Sequence, residues 1–120
     1  EIYTHYLMRH RGLNVSHVSS GVHESTLEWL AERLCSRGLY SDVETRVDFY
    51  ANDLHGEYDV IARRGANWHY YEVKSHYSKA QERRAIVQFN RAARAFPWPN
   101  WNFILVTPEL IKRYKTRDVM

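Results

Sequence analysis

Only one cysteine stands among the 120 residues of this chain. Cys35 therefore has no internal partner for a disulfide, and its apolar neighbours in a helical pattern predict a small buried thiol rather than a reactive one. No apolar run approaches the roughly 20 residues needed to cross a bilayer, and no charged-then-apolar leader opens the chain. The expectation is a soluble protein, cytoplasmic or otherwise intracellular, with no membrane partner. Also missing are a phosphate-cradling glycine loop, a Gly-x-Ser-x-Gly elbow and a zinc finger. The seven histidines, His55, His69 and His76 among them, show no tight metal-ligand spacing and read as surface or capping residues.

What is present suits one globular domain. Hydrophobic residues make up 44% and charged residues 26% of the sequence, enough apolar material for a single core. The net charge of +3 hides an uneven distribution. Residues 1–60 carry five Lys/Arg against ten Asp/Glu, whereas residues 61–120 carry twelve against four. Carboxylates in one half and cations in the other are what a metal-assisted site on a phosphate backbone requires, although solvated faces produce similar counts.

Residues 1–22 have no clear periodicity and read as an N-terminal arm or short helix; residues 23–120 form the domain. From Ser25 to Arg37, Leu27, Leu30, Ala31 and Leu34 recur at helical spacing, with Gly38 as the stop. Val43, Thr45, Val47 and Phe49 alternate with polar residues, the pattern of a half-buried strand. A turn at Asn52–Gly56 precedes strands at Tyr58–Arg63 and Trp68–His76, joined as a hairpin by Arg64-Gly65-Ala66-Asn67. Helical periodicity returns from Ser78 to Phe96, with Ile86, Phe89, Ala93 and Phe96 on one face and Pro97 as terminator. Trp101–Thr107 is an apolar run of strand length, and Pro108-Glu109 opens an expected short helix through about Lys115. Trp98 and Trp101 read as core packing, with base stacking as the alternative.

Chemistry concentrates in Gly56-Glu57-Tyr58-Asp59 and in Tyr71-Glu72-Val73-Lys74. Side chains alternate along a strand, so Glu72 and Lys74 share a face while Val73 turns away. Hairpin pairing would bring Asp59 toward Glu72. Two carboxylates sharing a site suit a hard divalent cation, Mg²⁺ with Mn²⁺ as substitute, and Lys74 could stabilise charge developing on phosphorus. Burying three charges for structure alone is costly, which weighs against a purely structural ion pair. Gln81, Arg84, Gln88 and Arg91 fall on one stripe of the second helix, flanked by Lys79, Arg83 and Arg94; they read as a DNA-facing surface or as a solvated one.

Asp59, a gap of twelve residues and then Glu72-Val73-Lys74 resembles the PD-(D/E)XK nuclease superfamily, and the Gly-Glu-x-Asp form of the first half looks most like the small archaeal-type Holliday-junction resolvases. Tyr58 stands where the superfamily's name has proline. The resemblance implies an α/β fold with a restriction-endonuclease-like αβββαβ core, a mixed central sheet flanked by helices, matching the element order read above. It also implies that Asp59, Glu72 and the main-chain carbonyl of Val73 hold the metal, that Lys74 is the catalytic lysine, and that Glu28 adds a carboxylate from the first helix. Glu24 competes for that last role, and Ser25-Thr26-Leu27-Glu28 is alternatively a capping box. Gln88 would sit beside the active site. The expected protein is a DNA nuclease, a homodimer acting on branched DNA by analogy. A restriction-like or virus-type repair nuclease, or a catalytically inactive nucleic-acid-binding module of the same fold, are the alternatives.

Overall fold

The computed structural model describes residues 21–120. The arm expected at residues 1–22 lies outside them, apart from Gly21 and Val22. The chain forms α1 (Val22–Arg37), β1 (Asp42–Ala51), β2 (Leu54–Arg64), β3 (Asn67–Val73), α2 (Lys79–Ala95), β4 (Trp101–Val106), β5 (Ile111–Tyr114) and a single turn of helix, α3 (Thr116–Val119). The fold is α/β, and its first six elements run in the order αβββαβ that the sequence predicted. The five strands make one sheet in the order β1-β2-β3-β4-β5. Only β3 and β4 are parallel; the other neighbours are antiparallel.

Helix α1 begins three residues before the expected start, at Val22, with Gly21 as an N-cap that makes no side-chain capping bond. Ser25 is thus inside the helix, and the capping-box reading of Ser25 and Glu28 does not apply. At the other end Gly38, at φ 66°, takes the left-handed conformation and donates its N–H to the Cys35 carbonyl. The turn expected over residues 52–56 is tighter than its composition suggested. Ala51 pairs with Leu54, leaving Asn52 and Asp53 as the two-residue loop, both at positive φ. Helix α2 is capped by Ser78, whose side chain accepts from the Gln81 N–H.

Residues 108–115 do not form the expected helix. Thr107 ties the turn instead: its Oγ1 accepts from the N–H groups of Glu109 and Leu110, and its N–H donates to the Leu110 carbonyl. Ile111–Tyr114 then adds to the sheet beside β4. Strand β4 is buried along almost its whole length, so its outer backbone groups need partners, and β5 supplies them where a short helix would leave them unmade.

Helices cover both faces. Leu27, Leu30, Ala31 and Leu34 of α1 pack on Val43, Val60, Ala62, Tyr71, Val73, Ile104 and Val106. Phe89, Ala85, Ala92 and Ala93 of α2 pack on the opposite face, against Phe49, Tyr58, Ile61, Tyr70, Phe103 and Leu105. One irregularity positions the site. Val43 lies on the α1 side and Phe49 on the α2 side although both are odd-numbered; Val60 and Tyr58 are divided in the same way. Both strands exchange faces midway, where Arg46 of β1 takes a left-handed φ of 53° opposite Asp59 of β2. Such local irregularity bends a strand and re-aims its side chains.

Gly56 lies close to this bend. A Cβ there would fall 2.5 Å from the Phe49 ring and 3.4 Å from Cδ of Arg91, so the bare backbone lets α2 and β1 close over the start of β2.

Candidate active site

Pairing of β2 with β3 runs from Arg64 and Asn67 to Val60 and Tyr71 and stops there. Beyond it the strands separate, and the Val73 N–H donates to Oδ2 of Asp59 at 2.8 Å. A side chain thus replaces the missing ladder bond, which fixes the Asp59 carboxylate beside the residue that follows Glu72. Strand β3 ends at Val73, and Lys74 lies just past it, its N–H held by the Val106 carbonyl.

Asp59 and Glu72 are only 8% and 6% exposed. Glu72 has two close partners. The Tyr70 hydroxyl stands 2.6 Å from its Oε1 and 3.1 Å from the Glu57 carbonyl, so one proton serves two acceptors. Lys74 Nζ stands 3.3 Å from Oε2. Expected parity therefore holds: Tyr70, Glu72 and Lys74 share one side, while Val73 packs under α1. Burial and the nearby Asp59 charge push the Glu72 carboxyl up to about 7, against the lowering influence of Tyr70 and Lys74. Burial, with the Asp59 and Asp48 charges, also raises Glu57.

The first turn of α1 completes the surroundings. His23 Nε2 lies 3.7 Å from Asp59 Oδ2, and its Nδ1 lies 3.9 Å from Glu24 Oε1. Bonding to Asp59 raises the imidazole pKa despite partial burial. Glu24 in turn pairs with Arg46, the residue at the bend opposite Asp59. The contacts leading from Asp59 into α1 thus pass through His23 to Glu24. Glu28 stands one helical turn further along. Among the described residues, no three His, Cys, Asp or Glu side chains are gathered as metal ligands, so Glu28 does not join Asp59 and Glu72 in a preformed cage.

The donors that are together still fit a divalent ion. Two buried carboxylates stand near a single ammonium, and the burial and Asp59 charge that raise the Glu72 carboxyl are what a bound cation would offset. Asp59, Glu72 and the Val73 carbonyl are hard oxygen donors of the kind and number Mg²⁺ takes when water and substrate phosphate fill its remaining positions.

The residues predicted on α2 divide by exposure. Lys79, Arg83, Arg84 and Arg94 are exposed, while Gln88 and Arg91 are half-buried. Within the helix Arg84 donates to Gln81 at 3.1 Å and Arg91 to Gln88 at 3.5 Å. The Arg91 stem reaches the Gly56 end of β2, whereas no contact ties Gln88 to Asp59, Glu72 or Lys74 among the described residues. Trp98 and Trp101 stack on each other at 5.1 Å beside the α2-side core, so the packing reading of these rings holds.

Sequence reasoning missed three residues around the carboxylates and one further away. Tyr70 was legible, because it stands two positions before Glu72 and must share its face. His23 precedes Glu24 but fell outside the helix as first bounded. Arg46 carried no signal. Glu82 is 6% exposed and accepts from the Tyr77 hydroxyl, Lys112 and the Tyr114 hydroxyl, tying α2 to β5; its place four residues before Ile86 and seven before Phe89, on the apolar face, was the available signal.

No protein-family model and no curated protein matches the sequence. A solved structure described as "Crystal structure of SSO0001" is similar to the chain at 18% identity with a TM-score of 0.48, over 93% of this chain and 60% of that one. This chain thus spans less than two thirds of the protein it resembles. Among the described residues, no helix is long and apolar enough to cross a membrane.

Proposed function

We propose that the chain is a Mg²⁺-dependent nuclease that hydrolyses phosphodiester bonds in DNA. The observation carrying this reading is the pair of buried carboxylates, Asp59 held on the Val73 N–H and Glu72 beside it, with Lys74 as their only close lysine or arginine among the described residues. Asp59, Glu72 and the Val73 carbonyl would hold the ion. When bound, it would supply Lewis-acid polarisation of the scissile phosphate and a water of lowered pKa. Lys74, half-buried and already turned toward Glu72, is placed to neutralise charge developing on a phosphoryl oxygen. Tyr70 fixes the Glu72 rotamer and lowers its proton affinity. His23 orients Asp59 and stands at the mouth of the site with an imidazole that can donate to a phosphate oxygen.

The exposed Lys79, Arg83, Arg84 and Arg94, together with Arg91, form the proposed backbone-contacting surface, and Gln88 is proposed to face the same strand. A branched DNA substrate and a homodimer rest on the resemblance to small junction resolvases. The test is cleavage of linear, single-stranded, flapped and four-way-junction DNA with Mg²⁺, Mn²⁺ or EDTA. Cutting of at least one substrate with metal and none in EDTA is expected; no cutting of any, or equal cutting in EDTA, overturns the reading.

A further inference from the structure

Helix α1 packs on β1, β2 and β3 but leaves β5 uncovered on that face. A cavity of about 410 Å³ fills the resulting gap. Its floor is apolar and aromatic, from Leu34, Tyr71 and Ile104, and among the described residues its charged lining consists of Arg33, Arg37, Arg64 and Arg113 with no carboxylate. All four arginines are exposed, and none forms an ion pair with a described carboxylate. They come from α1, the end of β2 and β5, so their convergence is made by the fold and not by one charged run.

Two further features suit an aromatic ligand bearing a phosphate. His69 lines the cavity with a Nδ1 that is buried and has no hydrogen-bond partner among the described residues. Burial and the Arg113 and Arg64 charges lower its pKa, so the ring stays neutral and able to accept or donate a hydrogen bond. Trp29, 52% exposed with Arg33 over its ring, stands at one end of the cavity. Trp29 and Ile111 also line a second cavity, of about 570 Å³, which continues along α1 to Ser25 and Thr26 and to the Thr107–Leu110 turn after β4. The two cavities, with Trp29 and Ile111 common to both linings, are neighbours along α1 and are taken together as one trough. Its lining on α1 runs from Arg37 to Ser25, roughly 18 Å along the helix.

We infer that this trough binds nucleotide units of a single strand, with a phosphate among Arg33, Arg37, Arg64 and Arg113 and a base against Trp29. Arginine forks match phosphate oxygens, and every base has a face that stacks on an indole. The ligand class is a nucleoside phosphate, whose source is either a free mononucleotide or a single strand. The strand is favoured because the two cavities together run along about three turns of α1, well beyond one nucleotide's binding position. Binding here goes beyond the cleavage reading, and its test does not depend on turnover.

The experiment is fluorescence-anisotropy titration of the full chain in EDTA with a labelled 5′-phosphorylated single-stranded oligonucleotide. Competition follows with a mononucleoside monophosphate and with inorganic phosphate. Arg64→Ala and Arg113→Ala, both at exposed positions and checked by circular dichroism, are each expected to weaken binding roughly tenfold. Competition by the mononucleotide would assign the source as the nucleotide unit itself; competition by unlabelled strand alone would assign an extended strand. Absence of saturable binding, binding unaltered in both variants, or displacement by inorganic phosphate at the same concentration as by nucleotide overturns the inference. Normal binding by both variants alongside metal-dependent cutting rejects the trough alone. Variant-sensitive binding without cutting of any substrate rejects the nuclease alone.

Discussion

Replacing Glu72 by glutamine should make the metal-free protein more stable above neutral pH, although the change removes a partner of both Tyr70 and Lys74. The native carboxyl has moved from 4.5 up to about 7 because it is buried beside Asp59. Below about 4.5 the group is protonated in both folded and unfolded chains, so the elevation has no effect on the balance. As pH rises to about 7 the unfolded chain loses this proton first, the native state binds more protons, and stability falls. Above about 7 the loss levels off at about 3 kcal/mol, the free energy that corresponds to a rise of this size.

A neutral amide of the same shape escapes that loss. In EDTA, urea denaturation of Glu72→Gln and the parent chain should give similar stabilities near pH 4.5. By pH 8.5 the variant should be ahead by up to about 3 kcal/mol. Adding Mg²⁺ should shrink or reverse the difference, because an ion that binds the folded parent stabilises it by mass action. If Glu72→Gln is less stable by a constant amount from pH 4.5 to 8.5, the carboxyl is not under electrostatic pressure and the case for a cation-demanding site fails.

Other consequences can be measured in the same way. Gly56→Ala must push against the Phe49 ring and the Arg91 stem, and overpacking of this kind should cost about 1–3 kcal/mol in denaturant unfolding. Glu82→Ala strands the Tyr77 and Tyr114 hydroxyls and should cost about 2–4 kcal/mol. Bonding to Lys112, Tyr114 and Tyr77 holds the Glu82 carboxyl down at about 2. Its stabilisation is therefore present above about 4.5 and lost as pH falls toward 2, so the penalty of Glu82→Ala should fade across that window; an acid-independent penalty would contradict the assignment. Tyr70→Phe removes a bond that lowers Glu72, and should extend the Glu72-linked fall in stability to higher pH while its onset near 4.5 stays in place.

The order of elements was legible because apolar residues kept a clean period, as in Leu27, Leu30 and Leu34 or in the α2 stripe around Phe89. Asp59, Glu72 and Lys74 could be found because charges inside apolar strands are rare enough to need a reason. The exchange of faces at Arg46 and Asp59 was not legible. Val43, Thr45, Val47 and Phe49 alternate without interruption, and a backbone twist that sends the first pair to one core and the second to the other leaves that spacing unchanged. Residues 108–115 misled for a different reason. A proline before a glutamate favours a helix start locally, but the open edge of the buried β4 decided the outcome. Glu82 shows the same limit: it stands on the apolar face, four residues before Ile86 and seven before Phe89, but its partners Lys112 and Tyr114 come from a strand that the local pattern did not announce.

The most direct measurement is the single-turnover cleavage rate in Mg²⁺, on whichever DNA substrate the parent chain cuts, for the parent and for Asp59→Asn and Lys74→Ala. Each variant should be compared at equal folded fraction. The account predicts a loss of roughly a hundredfold or more in both variants. Cutting by either at the parental rate would contradict it.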